Sequence, residues 1–377
     1  MTQPSEGGSP LKLGIDALLS TVGSRRVGLI TGPSAWTADR GHPIDFLRRE
    51  ATLAALFAPE HGVWGQAQAG VHVASTIDAR TGLPAHSLYD ENQEPSAEML
   101  EGLDVLVFCM QEVGCRYYTF MMTMARCMEA AAKHGLPFLV LDQPTPLRGD
   151  VVQGNVAKTI FFPLPLPIRL GMTHGELATW LAAESDWQLD LTVIPVEGWT
   201  RNLWFDETGL PWVAPSPNLP TLQSAVVFPC TCVLEATNVS EGRGTTRPFE
   251  LLGAPWMDGF AVADALSERG LTGAAFRPAY FEPTFSKWEG EVCCGIQLHV
   301  LDRDVFDPVR TCFHLLEVLR TLHPNELEIR ASSFDVRLGD AWVREALEAG
   351  ESAEAVWQRC CDEAARFGVA RRSFLLY

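Results

Sequence analysis

The sequence predicts an α/β protein of two domains: a parallel sheet covered by helices, then a smaller α+β domain. Three observations support this. Short apolar runs alternate with helical patterns between residues 26 and 142, the signature of a parallel sheet with helical crossovers. The texture changes at Phe161 to a Pro-rich extended stretch and long irregular segments. The chain has 377 residues, more than a typical single core accommodates. The expected division is 1–228 and 229–377.

Arg26 to Thr31 reads as a first buried strand, stopped by Gly32-Pro33-Ser34. A helix is expected over 43–50 and a second strand over 52–58. That strand runs into Ala58-Pro59-Glu60-His61-Gly62, where Pro and Gly force a turn. In an open α/β sheet, ligands bind outside the carboxyl ends of the strands. Glu60 and His61 therefore place a carboxylate and an imidazole where chemistry is expected. A short helix follows at 95–102, then a strand from Asp104 to Met110. A helix from Phe120 to His134 ends at Gly135, and a strand runs from Pro137 to Asp142.

Residues 162–168 are Pro-rich and extended. Thr173 has Glu176 three residues on, the spacing of a capping box. A capping role and a site role for Glu176 both remain open on this spacing. Leu189 to Val196 reads as a strand, and 211–220 is an irregular loop with four prolines. In the second domain a strand is expected at 292–300, with helices at 307–322, 339–349 and 352–366.

The formal charge is −18, from 29 basic and 47 acidic side chains, with no cluster of Lys and Arg. Nucleic acid is therefore not an expected partner. Met1 to Pro10 is polar and lacks the apolar core of a secretory signal. No run of about 18 apolar residues suggests a membrane span. The ten cysteines show no CxxC pair and no zinc-type spacing. Reduced structural thiols in the cytoplasm are the expectation. Neither GxGxxG nor GxxxxGK[ST] occurs, so a Rossmann-like sheet here is not expected to bind a nucleotide. No cofactor and no metal are expected, and oligomeric state is not legible.

The polar residues at strand exits and in the irregular loops are Glu60, His61, Gln111, Glu112, Arg116, Tyr117, Tyr118, Asp142, Arg169, His174, Glu176, Asn218, Glu235, Asn238, Glu241 and Arg243. The set contains no GxSxG elbow and no HExxH. Carboxylates with Arg, Asn and Tyr suit a sugar site. Two carboxyl groups can flank a glycosidic bond, aromatic rings cover sugar faces, and Arg grips an anionic substituent.

Several motifs, in order, resemble the exo-acting β-N-acetylmuramidases of the NamZ type, formerly a domain-of-unknown-function family. They are Phe57 to Gly62, Gly114 to Thr119, Pro165 to Arg169, Gly171 to Ala178, Trp212 with Pro215 to Asn218, Glu235 to Thr245, Gly253 to Trp256 and Phe374 to Tyr377. The resemblance runs from about Val27 to Tyr377. It implies a Rossmann-like N-terminal domain, a smaller C-terminal domain and an active site in the cleft between them. It implies release of terminal, non-reducing β-1,4-linked N-acetylmuramic acid from peptidoglycan-derived chains. The expected partners are small muramyl saccharides or muropeptides.

On that resemblance Glu60 is the expected general acid, with His61 orienting it. Glu176 or Glu112 is the expected second carboxylate, unless the 2-acetamido group of the substrate attacks instead. Arg116 and Arg243 are candidates for the lactyl carboxylate, and Asn218 and Asn238 for the acetamido group. Tyr117, Tyr118, Asp142, His174 and Glu235 complete the expected binding residues. Of the two tyrosines, one is expected in the core and one in the site, since neighbours on an extended segment face opposite ways.

Three segments depart from the family pattern. Cys109-Met110-Gln111-Glu112 replaces Asp-x-Gln-Asp, Leu141-Asp142-Gln143-Pro144-Thr145-Pro146 replaces Leu-Asp-Arg-Pro-Asn-Pro, and Gly32-Pro33-Ser34 replaces Asn-x-Thr. These departures motivate two alternatives: a non-catalytic muropeptide-binding relative, or a hydrolase of altered amino-sugar specificity.

Overall fold

A computed structural model describes residues 11–89 and 93–377. Its core is a seven-stranded sheet formed by β1 (Arg26–Thr31), β2 (Thr52–Ala58), β3 (Thr76–Ile77), β4 (Pro84–Ser87), β5 (Val105–Cys109), β6 (Phe138–Leu141) and a later strand, β9 (Leu191–Ile194). The spatial order is β3-β4-β2-β1-β5-β6-β9, parallel throughout except for the short edge strand β3. The central strands are apolar on both faces and buried, as a sheet covered on both sides requires. The chain moves outward from β1 first through β2 and β4, then through β5, β6 and β9. The strand order therefore reverses at the centre, and the crevice at such a reversal is where ligands bind in these sheets.

Helices α1 (Ile15–Val22), α2 (Pro43–Glu50), α3 (Ala97–Leu100), α4 (Phe120–His134) and α5 (His174–Glu184) cover the sheet. Gly135 ends α4 in the left-handed conformation, at φ 66°. Strands β7 (Ala157–Thr159) and β8 (Phe162–Leu166) form a separate antiparallel pair.

Helix α6 (Leu222–Thr231) leads into the second domain, and the residue pair 228/229 lies inside it. That domain holds an antiparallel sheet, β10 (Leu251–Ala254), β12 (Cys293–Val300) and β11 (Ala274–Phe281), in that order across the sheet. Around it lie α7 (Gly259–Ser267), α8 (Pro308–Leu322), α9 (Ala331–Leu338), α10 (Trp342–Glu348) and α11 (Ala353–Ala370). The helix expected at 339–349 begins instead at Trp342. Gly339, at φ 74°, closes α9 and separates the two.

Candidate active site

A cavity of about 600 Å³ lies between the two domains, and both contribute to its wall. On the N-terminal side the apolar strand β2 delivers Glu60. Pro59 stops the strand, and His61 then takes a positive φ of 75°, uncommon for a residue with a side chain. Glu60 is 8% exposed. Its Oε1 accepts from the Gly70 amide at 3.0 Å and its Oε2 from the Thr119 hydroxyl at 2.8 Å. Tyr89 also hydrogen-bonds to this carboxylate, and burial together with the Glu60 charge holds its phenol well above the ordinary value.

His61 Nδ1 lies 2.9 Å from the Ala67 carbonyl. A carbonyl only accepts, so Nδ1 carries the proton and Nε2 of the neutral ring keeps its lone pair. Burial lowers the imidazole pKa, against the opposing pull of the Glu60 charge. The ring is therefore neutral near pH 7.

The C-terminal side is an ionic network. Glu235 sits on a 3₁₀ turn and bonds Arg243 through Oε1 and Arg337 of α9 through Oε2, the latter at 2.5 Å. Burial alone would raise its pKa, but the two guanidinium groups prevail and hold it below the ordinary value. Arg243 Nε reaches Glu241 at 3.0 Å, and Lys287 Nζ reaches the same carboxylate at 2.8 Å. Gly242 and Gly244, both at φ 79°, flank Arg243. A Cβ on Gly244 would lie 2.6 Å from the Phe285 carbonyl, so the loop carrying this arginine needs glycine there. Three cations face two carboxylates, so this wall carries one net positive charge. Among the described residues that line the cavity, Glu60 is the carboxylate with no ion-pair partner.

Tyr117 and Tyr118 both line the cavity, and both hydroxyls are buried without a partner among the described residues. The expectation of one core and one site tyrosine is corrected: the segment is a turn rather than a strand, so neighbours do not alternate. Phe228 of α6 packs edge-on against both rings. Asn218 also lines the cavity, and its Nδ2 donates to Gln68 Oε1 at 3.0 Å.

Six expected site residues lie off the cavity wall. Glu176 is fully buried, completes the capping box of α5 with Thr173, and pairs with Arg201 at 2.5 Å. Glu112 is buried with its Oε2 on the Gly114 amide, and burial pushes its carboxyl up to about 7. Arg116 is fully buried. Its Nη1 donates to the carbonyls of Asn155 and Leu166 at 2.7 and 2.6 Å, and its Nη2 to Asn155 Oδ1 and the Arg337 carbonyl. Asp142 accepts from Thr173 Oγ1, the Gly175 amide and Tyr377, and burial raises its carboxyl to about 6. His174 lies edge-on to Phe108, and burial lowers its ring pKa to about 3. Asn238 braces a loop through the Glu328 amide and the Glu326 carbonyl. The direct ligand contacts expected of these six are corrected to structural contacts, because their polar atoms are turned into the fold.

The residues that depart from the family pattern are also off the wall. Gln143 Nε2 points to Cys109 Sγ at 3.9 Å, and both side chains are buried, as is Thr145.

Sequence reasoning missed Gln68, Tyr89, Thr119, Lys287 and Arg337. Thr119 closes one of the motifs and Glu241, collected without a role, lies inside another, so position within a motif was an available signal. Arg337 and Lys287 carry none; each reaches the site only through folding. Among the described residues, no group of three His, Cys, Asp or Glu side chains is placed to hold a metal ion, and no helix is long and apolar enough to cross a membrane.

The models of the exo-β-N-acetylmuramidase NamZ N-terminal and C-terminal domains match residues 27–223 and 226–377. The chain is 42% identical to the peptidoglycan β-N-acetylmuramidase NamZ of Bacillus subtilis (strain 168), over 97% of this chain and 91% of that protein. It is similar to crystal structures of two DUF1343 family proteins of Bacteroides fragilis. One has TM-score 0.88 at 32% identity over 97% of this chain and 99% of the other. The second has TM-score 0.78 at 29% identity over 98% and 99%. With both domain models matched in order across the same two-domain fold, the chain belongs to the NamZ family of exo-β-N-acetylmuramidases.

Proposed function

We propose that this chain is a glycoside hydrolase that releases terminal, non-reducing β-1,4-linked N-acetylmuramic acid from peptidoglycan fragments. One observation supports this reading most: among the described residues that line the cleft, Glu60 is a carboxylate with no ion-pair partner, opposite a wall with one net positive charge. A muramyl sugar presents complementary groups, a glycosidic oxygen to be protonated and a lactyl carboxylate to be held. Arg243 is the proposed partner of the lactyl carboxylate and Asn218 that of the acetamido group. Tyr117 and Tyr118 contribute ring faces to the sugar.

Glu60 is the proposed general acid. It transfers its proton to the glycosidic oxygen as the bond from C1 to that oxygen breaks. Among the described residues, the other carboxylates on the wall, Glu235 and Glu241, are held by cations, and Glu112 and Glu176 lie off it. This favours attack on C1 by the carbonyl oxygen of the substrate's own 2-acetamido group, a recognised exception to the two-carboxylate scheme. Water then attacks C1 and opens the cyclic intermediate, and its proton returns to Glu60. His61 positions the Glu60 turn through its bond to Ala67.

The free state of all ten cysteines supports a cytoplasmic location, and imported muropeptides in cell wall recycling are the proposed substrates. The division at 228/229 remains our proposed domain boundary.

The test is chromophore release from para-nitrophenyl β-N-acetylmuramic acid, with the N-acetylglucosamine analogue as control. The expected result is turnover of the muramyl substrate, reduced about 10²–10⁴-fold in Glu60→Gln with binding retained. Muramyl binding without turnover in the wild type would move the assignment to a binding protein. Turnover of the control instead would move it to another amino sugar.

A further inference from the structure

The Glu60 carboxylate is held from two sides, and the two holders differ in kind. Oε1 accepts from the Gly70 amide at 3.0 Å and Oε2 from the Thr119 hydroxyl at 2.8 Å. The amide belongs to the loop after β2, where Gly70 takes a φ of 74°. The hydroxyl belongs to the head of α4, the helix that follows β5. In the sheet β1 lies between β2 and β5, so the grip on Glu60 reaches across three neighbouring strand exits.

Thr119 forgoes another role for this contact. A threonine at the head of a helix ordinarily caps it, its side-chain oxygen accepting an amide of the first turn. Thr119 stands at that position of α4, yet among the described residues its side chain makes no capping bond. Its carbonyl accepts the Met122 and Thr123 amides, both at 3.1 Å, which fixes its backbone. The hydroxyl on that fixed backbone is given to Glu60, and the residue is half-buried on the cleft wall.

A hydroxyl suits this position chemically. A backbone amide only donates. A threonine hydroxyl donates to a carboxylate and, turned about its C–O bond, accepts from a carboxylic acid. Glu60 passes between those two forms when it gives up a proton and later takes one back from water. Thr119 can hold the group in both. Tyr89 also reaches this carboxylate, so loss of the Thr119 contact loosens the carboxyl rather than releasing it.

We propose that Thr119 is a positioning residue for glycoside cleavage: its hydroxyl fixes the Glu60 carboxyl in the orientation from which it protonates the departing sugar oxygen. This rests on the reading of Glu60 as general acid. The reacting proton passes from Glu60 to the glycosidic oxygen as the bond from C1 breaks, and Thr119 neither gains nor loses a proton overall. A sugar hydroxyl needs that proton to leave, whereas 2,4-dinitrophenolate is stable enough to leave as the anion. A misplaced general acid therefore slows the first substrate and spares the second.

The test compares kcat/KM for N-acetylmuramyl-β-1,4-N-acetylglucosamine and for 2,4-dinitrophenyl β-N-acetylmuramic acid. It uses wild type, Thr119→Val, Thr119→Ser and Glu60→Gln. This parameter covers the steps through bond cleavage and omits the later attack of water. Thr119→Val is expected to lose about tenfold to a hundredfold on the disaccharide, the scale of a misplaced reacting group. On the dinitrophenyl substrate its loss is expected to stay below about threefold. Thr119→Ser, which keeps the hydroxyl, is expected to stay within about threefold of wild type on both. Thr119→Ala replaces the valine variant if that protein does not fold. Equal losses on the two substrates, no loss on either, or a serine variant as impaired as the valine one would overturn the proposal. Glu60→Gln separates this inference from the reading beneath it, since it is expected to show the same leaving-group dependence more steeply. If Glu60→Gln shows that dependence and Thr119→Val does not, the positioning role alone falls. If Glu60→Gln lacks it, the general-acid reading falls and the positioning role falls with it.

Discussion

The hydroxyl of Tyr377, the last residue, donates a 2.8 Å hydrogen bond to Asp142 Oδ2 at the exit of β6. It accepts a second from the Val196 amide at 2.8 Å, and its ring stands edge-on to Trp199. The end of the chain thus anchors to the sheet of the first domain. Tyr377→Phe removes a partner from a buried carboxylate and a buried amide. It is expected to cost about 1–3 kcal/mol in urea unfolding while leaving KM unchanged, since neither residue lines the cleft.

Glu176 and Glu60 separate structure from chemistry. Glu176→Gln breaks a buried ion pair with Arg201 and is expected to destabilise the fold by about 3–5 kcal/mol. Turnover per folded molecule stays within about twofold of wild type. Glu60→Gln is expected to show the reverse, near-normal stability with turnover lost. Active-site titration beside thermal unfolding distinguishes the two. A Glu176→Gln protein that folds normally and fails to turn over would return Glu176 to the reaction.

Arg243→Lys keeps the charge and loses the fork that reaches Glu235 and Glu241 together. The expected loss in kcat/KM for the muramyl substrate is about tenfold to a hundredfold, from the strength of charge-assisted hydrogen bonds. It should be mostly in KM if the arginine holds the lactyl carboxylate. Steady-state kinetics on substrates with and without the lactyl group read this directly.

Glu112 sets a pH dependence of stability. Burial, the dominant cause, pushes its carboxyl up to about 7 from an ordinary 4.5, against the opposing hydrogen bond from the Gly114 amide. The folded chain therefore holds this proton more tightly than the unfolded chain does. The stability from this group is full below pH 4.5 and is lost as pH rises through 7. Glu112→Gln stays neutral throughout, so its Tm relative to wild type should rise between pH 5 and pH 8 by at least about 2 °C. An unchanged difference across that range would count against the buried proton.

Much of the first domain was legible. Arg26–Thr31, Thr52–Ala58 and Phe120–His134 were read from apolar runs, alternation with helices and a terminal glycine, all of them local signals. Helix α6 was not anticipated, because Pro229 inside it reads as a breaker. Strands β10 and β11 were also missed. β11 is mostly half-exposed and contains Pro278, so its pattern is neither alternating nor continuously apolar.

The sequence by itself determined the class of fold, the strand exit that carries Glu60 and His61, and the family. These depend on residues close together in the chain, where apolar period, Pro and Gly act directly on local backbone. Only the tertiary structure decided which polar groups share the cleft. Arg337 meets Glu235 across 102 positions and Glu176 turns inward to Arg201. Whether a carboxylate reacts or braces the fold depends on the charges and dielectric brought around it by distant segments, and no local spacing encodes that.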